Sequence, residues 1–120
     1  MADNQETEKA VKFLMLICAE FGEEEPGDDE MAAVGRWVAE MDARGIRLTG
    51  AGLQSVRQAT SVQVRDGEVL ATDGPFAETK EEIGGFDLLD CADLAEAIEV
   101  ASQHPAARYG RMELREILAG

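Results

Sequence analysis

The sequence predicts an α+β domain of the ferredoxin-like (split βαβ) kind, an antiparallel sheet with helices on one face. Three observations carry this. The hydrophobic period switches between strand and helix in the order strand, helix, hairpin strands, helix, strand. At 120 residues and 13.0 kDa the chain has room for one core. The apolar runs at residues 13–17 and 86–89 carry hydrophobic side chains on both strand faces, so the sheet face turned away from the helices needs a cover. A second copy packed sheet to sheet supplies one, and a homodimer is expected.

In chain order, residues 1–11 are polar and aperiodic and read as a flexible leader, with the domain expected over 12–118. KFLMLIC at 12–18 is short, continuous and apolar, as in a strand buried on both faces. Residues 20–30 hold Glu20, Glu23, Glu24, Glu25, Asp28, Asp29 and Glu30 without a base. A solvated like-charged loop fits that run, and so does a divalent-cation site, although EF-hand spacing and its glycine are missing. The period then turns helical, with Met31, Val34, Val38 and Met41 on one side and Trp37 beside them. Asp28 or Asp29 stands where an N-cap belongs and Gly45 where a C′ residue belongs, which predicts a helix over 30–44. Gly50 and Gly52 bracket a weakly extended piece over 46–53.

A hairpin follows. Val62 and Val64 alternate in 61–65, Val69 and Ala71 in 68–72, and Asp66–Gly67 between them suits a type I′ turn. A polar segment over 73–85 leads to a strand at 86–89. Asp93-Leu94-Ala95-Glu96 then opens a helix whose apolar face is Leu94, Ala97, Ile98 and Ala101. His104–Pro105 ends it, because the residue before proline is pushed out of the helical region. Met112 and Leu114 alternate in the closing strand over 111–117.

Eleven basic against 25 acidic residues leave a formal charge of −14, which argues against binding to nucleic-acid phosphates or to an anionic membrane surface. The longest apolar run is too short to span a bilayer and lacks the flanks of a signal peptide, so a cytoplasmic location is expected. Cys18 and Cys91 read as small buried residues at strand ends. With a single histidine and no CxxC, neither a metal nor a cofactor is expected.

ATDGPFAETKEEIGGF at 71–86 joins two strands by a loop of about a dozen residues, long for a compact domain and a candidate for function. This segment, with KFLMLIC before it, GAGLQ at 50–54, and ADLAEAIEVA and PAARYGRMELREI after it, resembles the YCII-related proteins, specifically their DGPF-motif branch. The likeness runs from residue 12 to 117. It implies a ferredoxin-like fold that dimerises into an α+β barrel with a cleft between sheets and loops, and no settled activity. It also implies a regulatory setting, since relatives are often encoded beside extracytoplasmic-function sigma factors. A related branch is proposed to be enzymatic through a histidine on the first helix paired with an aspartate. Here that helix carries Arg36 and Trp37 and no histidine.

Asp73 is the candidate acid or base, and it is also suited to capping the Gly74–Pro75 turn. Phe76 either plugs the core or lines a pocket, and Lys80 either meets an anion or is solvated. Arg115, with Arg108 and Arg111, forms the one basic concentration; Arg111, Glu113 and Arg115 share a strand face, as an anion-binding floor or in cross-strand pairs. Trp37 is a core residue whose N–H is a candidate to reach the cleft. His104 fits a cationic role at a helix C-terminus better than general base catalysis. Neither a nucleophilic triad nor a phosphate loop is present. Three functions are carried forward. The first is a homodimeric binding or accessory domain holding a small anionic ligand in the dimer cleft, without catalysis of its own. The second is a small cofactor-independent enzyme using Asp73, with Arg115 or Lys80 steering an anionic substrate. The third is a sigma-factor-associated interaction module.

Overall fold

A computed structural model describes residues 10–20, 26–74 and 81–119. The apolar run at the start forms β1 (Val11–Ala19), the centre of a four-stranded antiparallel sheet ordered β2-β5-β1-β6. Its neighbours are β5 (Glu82–Cys91) and β6 (Arg111–Glu116), and the far edge is β2 (Arg47–Gly52). Two helices, α1 (Asp28–Ala43) and α2 (Leu94–Ser102), cover one face. This is the ferredoxin-like order, and it positions everything that follows.

Strand pairing divides the side chains between two faces. Phe13, Met15 and Ile17 of β1, Leu89 of β5, and Met112 and Leu114 of β6 face the helices. There they meet Trp37 and Met41 of α1 and Ala97, Val100 and Ala101 of α2. Each strand alternates, so Leu14, Leu16, Phe86 and Leu88 fall on the opposite face, cross-strand from one another as Leu14–Leu88 and Leu16–Phe86. No element of the described chain packs as a second layer on that side.

The helix ends show what short-range chemistry decides. Gly45, at φ +72°, closes α1: its N–H donates to the Asp42 carbonyl (3.1 Å) and the Ile46 N–H to the Met41 carbonyl (2.9 Å), the Schellman pattern. At the other end the N-cap is Gly27, with no side-chain cap. Asp28, Asp29 and Glu30 lie within the first turn instead, where their charges oppose the positive helix terminus. For α2, the Asp93 carboxylate accepts from the Glu96 N–H (2.9 Å), and Glu96 reaches back to accept from the Ala92 N–H (2.8 Å).

Two expectations change. The hairpin β3 (Thr60–Arg65) and β4 (Glu68–Asp73) forms as the valine alternation predicts, with Asp66 at φ +52° and Gly67 at φ +79°. It is not part of the main sheet, however. It is a separate two-stranded sheet inserted between β2 and β5. The strand that completes the ferredoxin order is β2, the weakly extended piece around Gly50 and Gly52. Glycine there has a packing reason: a Cβ on Gly50 would stand 2.7 Å from the Phe86 carbonyl and against the Asp87 carboxylate. The other change concerns apolar centring. Trp37 and Met41 are buried on α1, while Met31 is exposed, so the helix is rolled about Trp37.

The hairpin also sets the shape. The radius of gyration is 17.0 Å and the extents are 54 × 42 × 18 Å. A compact chain of this length has a radius of about 14 Å, so β3 and β4 form a projecting arm, packed chiefly on each other.

Candidate functional site

On the helix-covered face, Trp37 is fully engaged in holding the two helices. Its indole N–H donates to the Val100 carbonyl (3.0 Å), and its ring meets His104 edge-on at 4.8 Å. That N–H is therefore spent inside the core, on the face opposite the open sheet surface. His104 is buried, and its Nδ1 accepts from the Ala106 N–H (3.0 Å), capping a short 3-10 turn at Pro105–Arg108. Burial lowers its pKa, against a smaller upward pull from Glu30. The expected helix-end cation is thus a cap whose Nδ1 accepts a hydrogen bond, and burial disfavours its charged form.

Arg47, Asp87 and Asp42 form a polar cluster that the sequence did not single out, buried at Asp87 and open to water at Asp42. The Arg47 Nε donates to the Asp87 carboxylate at 2.8 Å, and its Nη1 to Asp42 at 3.2 Å. Asp87 is 4% exposed, and burial pushes its carboxyl above the ordinary range while Arg47 pulls it back. The same bond raises the Arg47 pKa. The cluster is closed by Gly50 and reaches no open surface through Asp87, so its role is to fix β2 against β5 and the end of α1. Both cysteines are free. Burial, then Glu96, Asp90 and Asp93, pushes the Cys91 thiol up to about 11, which keeps it protonated and unreactive at neutral pH. Cys18 and Cys91 lie at opposite ends of the β1–β5 pairing, about 23 Å apart by strand rise, beyond disulfide reach.

A cavity of about 740 Å³ opens between the start of β1, the turn after α1, the end of β5 and the start of α2. Arg44, Ile46, Asp90, Cys91 and Glu96 line it, and Asp90 Oδ1 is a buried acceptor without a partner. The α2 terminus there is already capped by Asp93 and Glu96. Among the described residues no three metal-ligating side chains come together, and no helix is long and apolar enough to cross a membrane.

The open sheet face has a different character. Leu14, Leu16, Phe86 and Leu88 form a continuous apolar stripe over β1 and β5. The β1–β6 register sets Arg115 opposite Leu14, Glu113 opposite Leu16 and Arg111 opposite Cys18, so the three β6 residues share this face as their spacing predicts. Arg111 is taken up by Glu81 and stands 3.9 Å from Glu113. Arg115 is exposed and makes no ion pair among the described residues. Lys12, which opens the run KFLMLIC, lies on the same face, directly cross-strand from Asp90 and a diagonal neighbour of Arg115. Strand register was the missing information: parity puts Lys12 with Leu14, but only the pairing puts both beside Arg115.

Asp73 ends β4 at the root of the arm, exposed and opposite Thr60. Gly74 follows at φ +94°, a conformation that strains any L side chain, and its N–H donates to the Ala59 carbonyl (2.7 Å). The Ser61 hydroxyl donates to the Gly74 carbonyl (2.7 Å). This turn is what the Asp-Gly pair of the motif builds. Phe76 and Lys80 lie outside the described residues. The structure therefore brings Lys12 and Arg115 together on the sheet and leaves Trp37 on the other face, with Asp73 on the arm.

Fold and surface together define a ferredoxin-like α+β domain with two helices on one sheet face, an uncovered apolar stripe with cations at one end on the other, and an inserted hairpin. The chain matches the YCII-related domain over residues 11–119, nearly its whole length, and belongs to that family. It is also similar to an uncharacterised protein of Rhizobium meliloti (strain 1021), 51% identical over 43 residues. That match spans 36% of this chain and 35% of the relative's length.

Proposed function

We propose that this chain is a homodimeric accessory domain of the DGPF-motif branch that holds a small amphipathic anion between the open sheet faces, without a reaction of its own. The carrying observation is the open face: an apolar stripe of Leu14, Leu16, Phe86 and Leu88 that ends at Lys12 and Arg115. A second copy packed on the stripe removes it from water. Cations at its end give an anionic head group a charge-assisted partner, while the stripe takes the apolar body. The ATDGPFAETKEEIGGF segment, with Gly74 in a glycine-only conformation, supports the branch assignment. The cytoplasm suits the two free, buried thiols.

Native mass spectrometry of gently purified protein tests this. The expected spectrum shows twice the 13.0 kDa chain mass with a discrete added mass, which Arg115→Gln removes while leaving the dimer. A chain that stays monomeric at every concentration ends the reading. A bare dimer that also fails to bind the amphipathic anion anilinonaphthalene sulfonate leaves the assembly and removes the ligand.

A further inference from the structure

The hairpin arm presents an apolar surface that no other element of the described residues covers. Cross-strand pairs Val62–Ala71 and Val64–Val69 put all four side chains on one face. Val62, Val64 and Val69 are 63%, 57% and 70% exposed, more than any member of the sheet stripe, whose residues shield one another. A two-stranded hairpin alone in water is marginal. This one keeps a regular register over six pairs while standing off the main sheet. Three large apolar groups on one face of an isolated hairpin mark a surface built to be covered.

Area identifies the occupant. Four strands at about 4.8 Å spacing and about 20 Å length give an open plane of roughly 400 Å², and Lys12, Thr49, Asp90, Glu113 and Arg115 occupy its rim. A stable interface takes roughly 800 Å² per partner. Two copies at −14 each must also overcome mutual repulsion. The apolar stripe is therefore too small to hold such a dimer by itself. An arm of about 20 Å by 10 Å adds about half as much again, and under twofold symmetry each protomer gives one arm and receives one.

We infer that the valine face of β3–β4 clasps a second copy of this chain, so that each arm lays Val62, Val64 and Val69 on the partner while its Asp73–Gly74 root stays with its own protomer. The inference rests on the dimer proposed above.

Sedimentation equilibrium on Val64→Lys/Val69→Lys tests it, with the fold checked by circular dichroism. Both residues are exposed, so the helix-covered core tolerates the change, while the two lysines face each other across the strands and weaken the arm's own pairing. Two added lysines bring the charge from −14 to −12, which by itself favours association. The expected result is nonetheless a dimer dissociation constant raised at least tenfold. Leu88→Lys, on the stripe, weakens the same equilibrium and reports on the underlying dimer. Should the double variant dimerise like wild type while Leu88→Lys does not, the arm is not part of the interface and the dimer reading survives. A wild-type chain that never dimerises overturns both. A spin label on Val64→Cys is expected to be immobilised and protected from water-borne relaxants in the dimer. A mobile, accessible label there overturns the clasp.

Discussion

Valine behaves in opposite ways in two parts of this molecule. Val100, on α2, is fully buried in the core that includes Trp37 and Met15, whereas Val62, Val64 and Val69 on the arm are mostly in water. Both regions follow clear local rules. The arm has β-branched alternation and an Asp-Gly turn; α2 has a capping box and an apolar face. Local rules therefore form an element without stabilising it. The helix-covered face is held by neighbours distant in sequence, and the arm by backbone pairing with an adjacent strand. Their responses to substitution should differ accordingly.

The largest difference is expected at Trp37. Trp37→Ala removes a buried indole and one of the two donors at the Val100 carbonyl, which keeps the Gln103 N–H, a loss of about 3–5 kcal/mol in urea unfolding. A loss below about 1 kcal/mol would show that the covered face is much looser than its packing, and the contrast with the arm would fail. Gly50→Ala comes next. Its Cβ meets the Phe86 carbonyl, which belongs to the paired backbone and cannot swing away, so a loss of about 1–3 kcal/mol is expected. If Gly50→Ala melts like wild type, β2 is not held against β5 as closely as the pairing shows.

What was legible in the sequence follows the same division. Strand β1, the hairpin and both helices were readable because each is specified by its own residues: a continuous apolar run, a turn dipeptide, a glycine at C′, a D-x-x-E start. Strand β2 was legible only as a weakly extended piece and not as a member of the main sheet, since Thr49, Gly50 and Ala51 carry no apolar alternation and owe their place to pairing with β5. The hairpin's detachment was equally invisible, because alternation states which side chains share a face and not what that face meets. The site divides likewise. Arg115 was recognised as one of few bases in an acidic chain, while Lys12 was hidden at the head of an apolar run. The Asp42–Arg47–Asp87 cluster joins groups up to 45 positions apart, from Asp42 to Asp87, which only the fold brings together.

A smaller effect tests the covered face through pH. Burial lowers the His104 pKa below its ordinary 6.5, so the folded chain binds that proton less readily than the unfolded one. Stability is then complete above 6.5 and falls as pH drops through that value toward the lowered one. His104→Asn keeps an acceptor for the Ala106 N–H and removes the titration. The difference in urea midpoint between pH 7.5 and 5.5 should shrink in the variant. An unchanged difference would place the acid sensitivity on other groups and leave His104 ordinary.

The smallest effect is expected on the arm, and it sharpens the contrast most. Val69→Ser exchanges an apolar group for a polar one on a surface already exposed to water, so unfolding of the dilute monomer should change by less than about 0.5 kcal/mol. At high concentration the same variant should be less stable than wild type, because a dimer's stability includes its association and the arm's contribution enters only there. The covered face behaves otherwise: a core loss such as that of Trp37→Ala is already present in the monomer. Unfolding measured over a hundredfold range of protein concentration separates the two. A Val69→Ser penalty that is the same at both ends of the range would mean that the valines act within their own chain, and that the arm is a second, smaller core rather than a surface meant for another molecule.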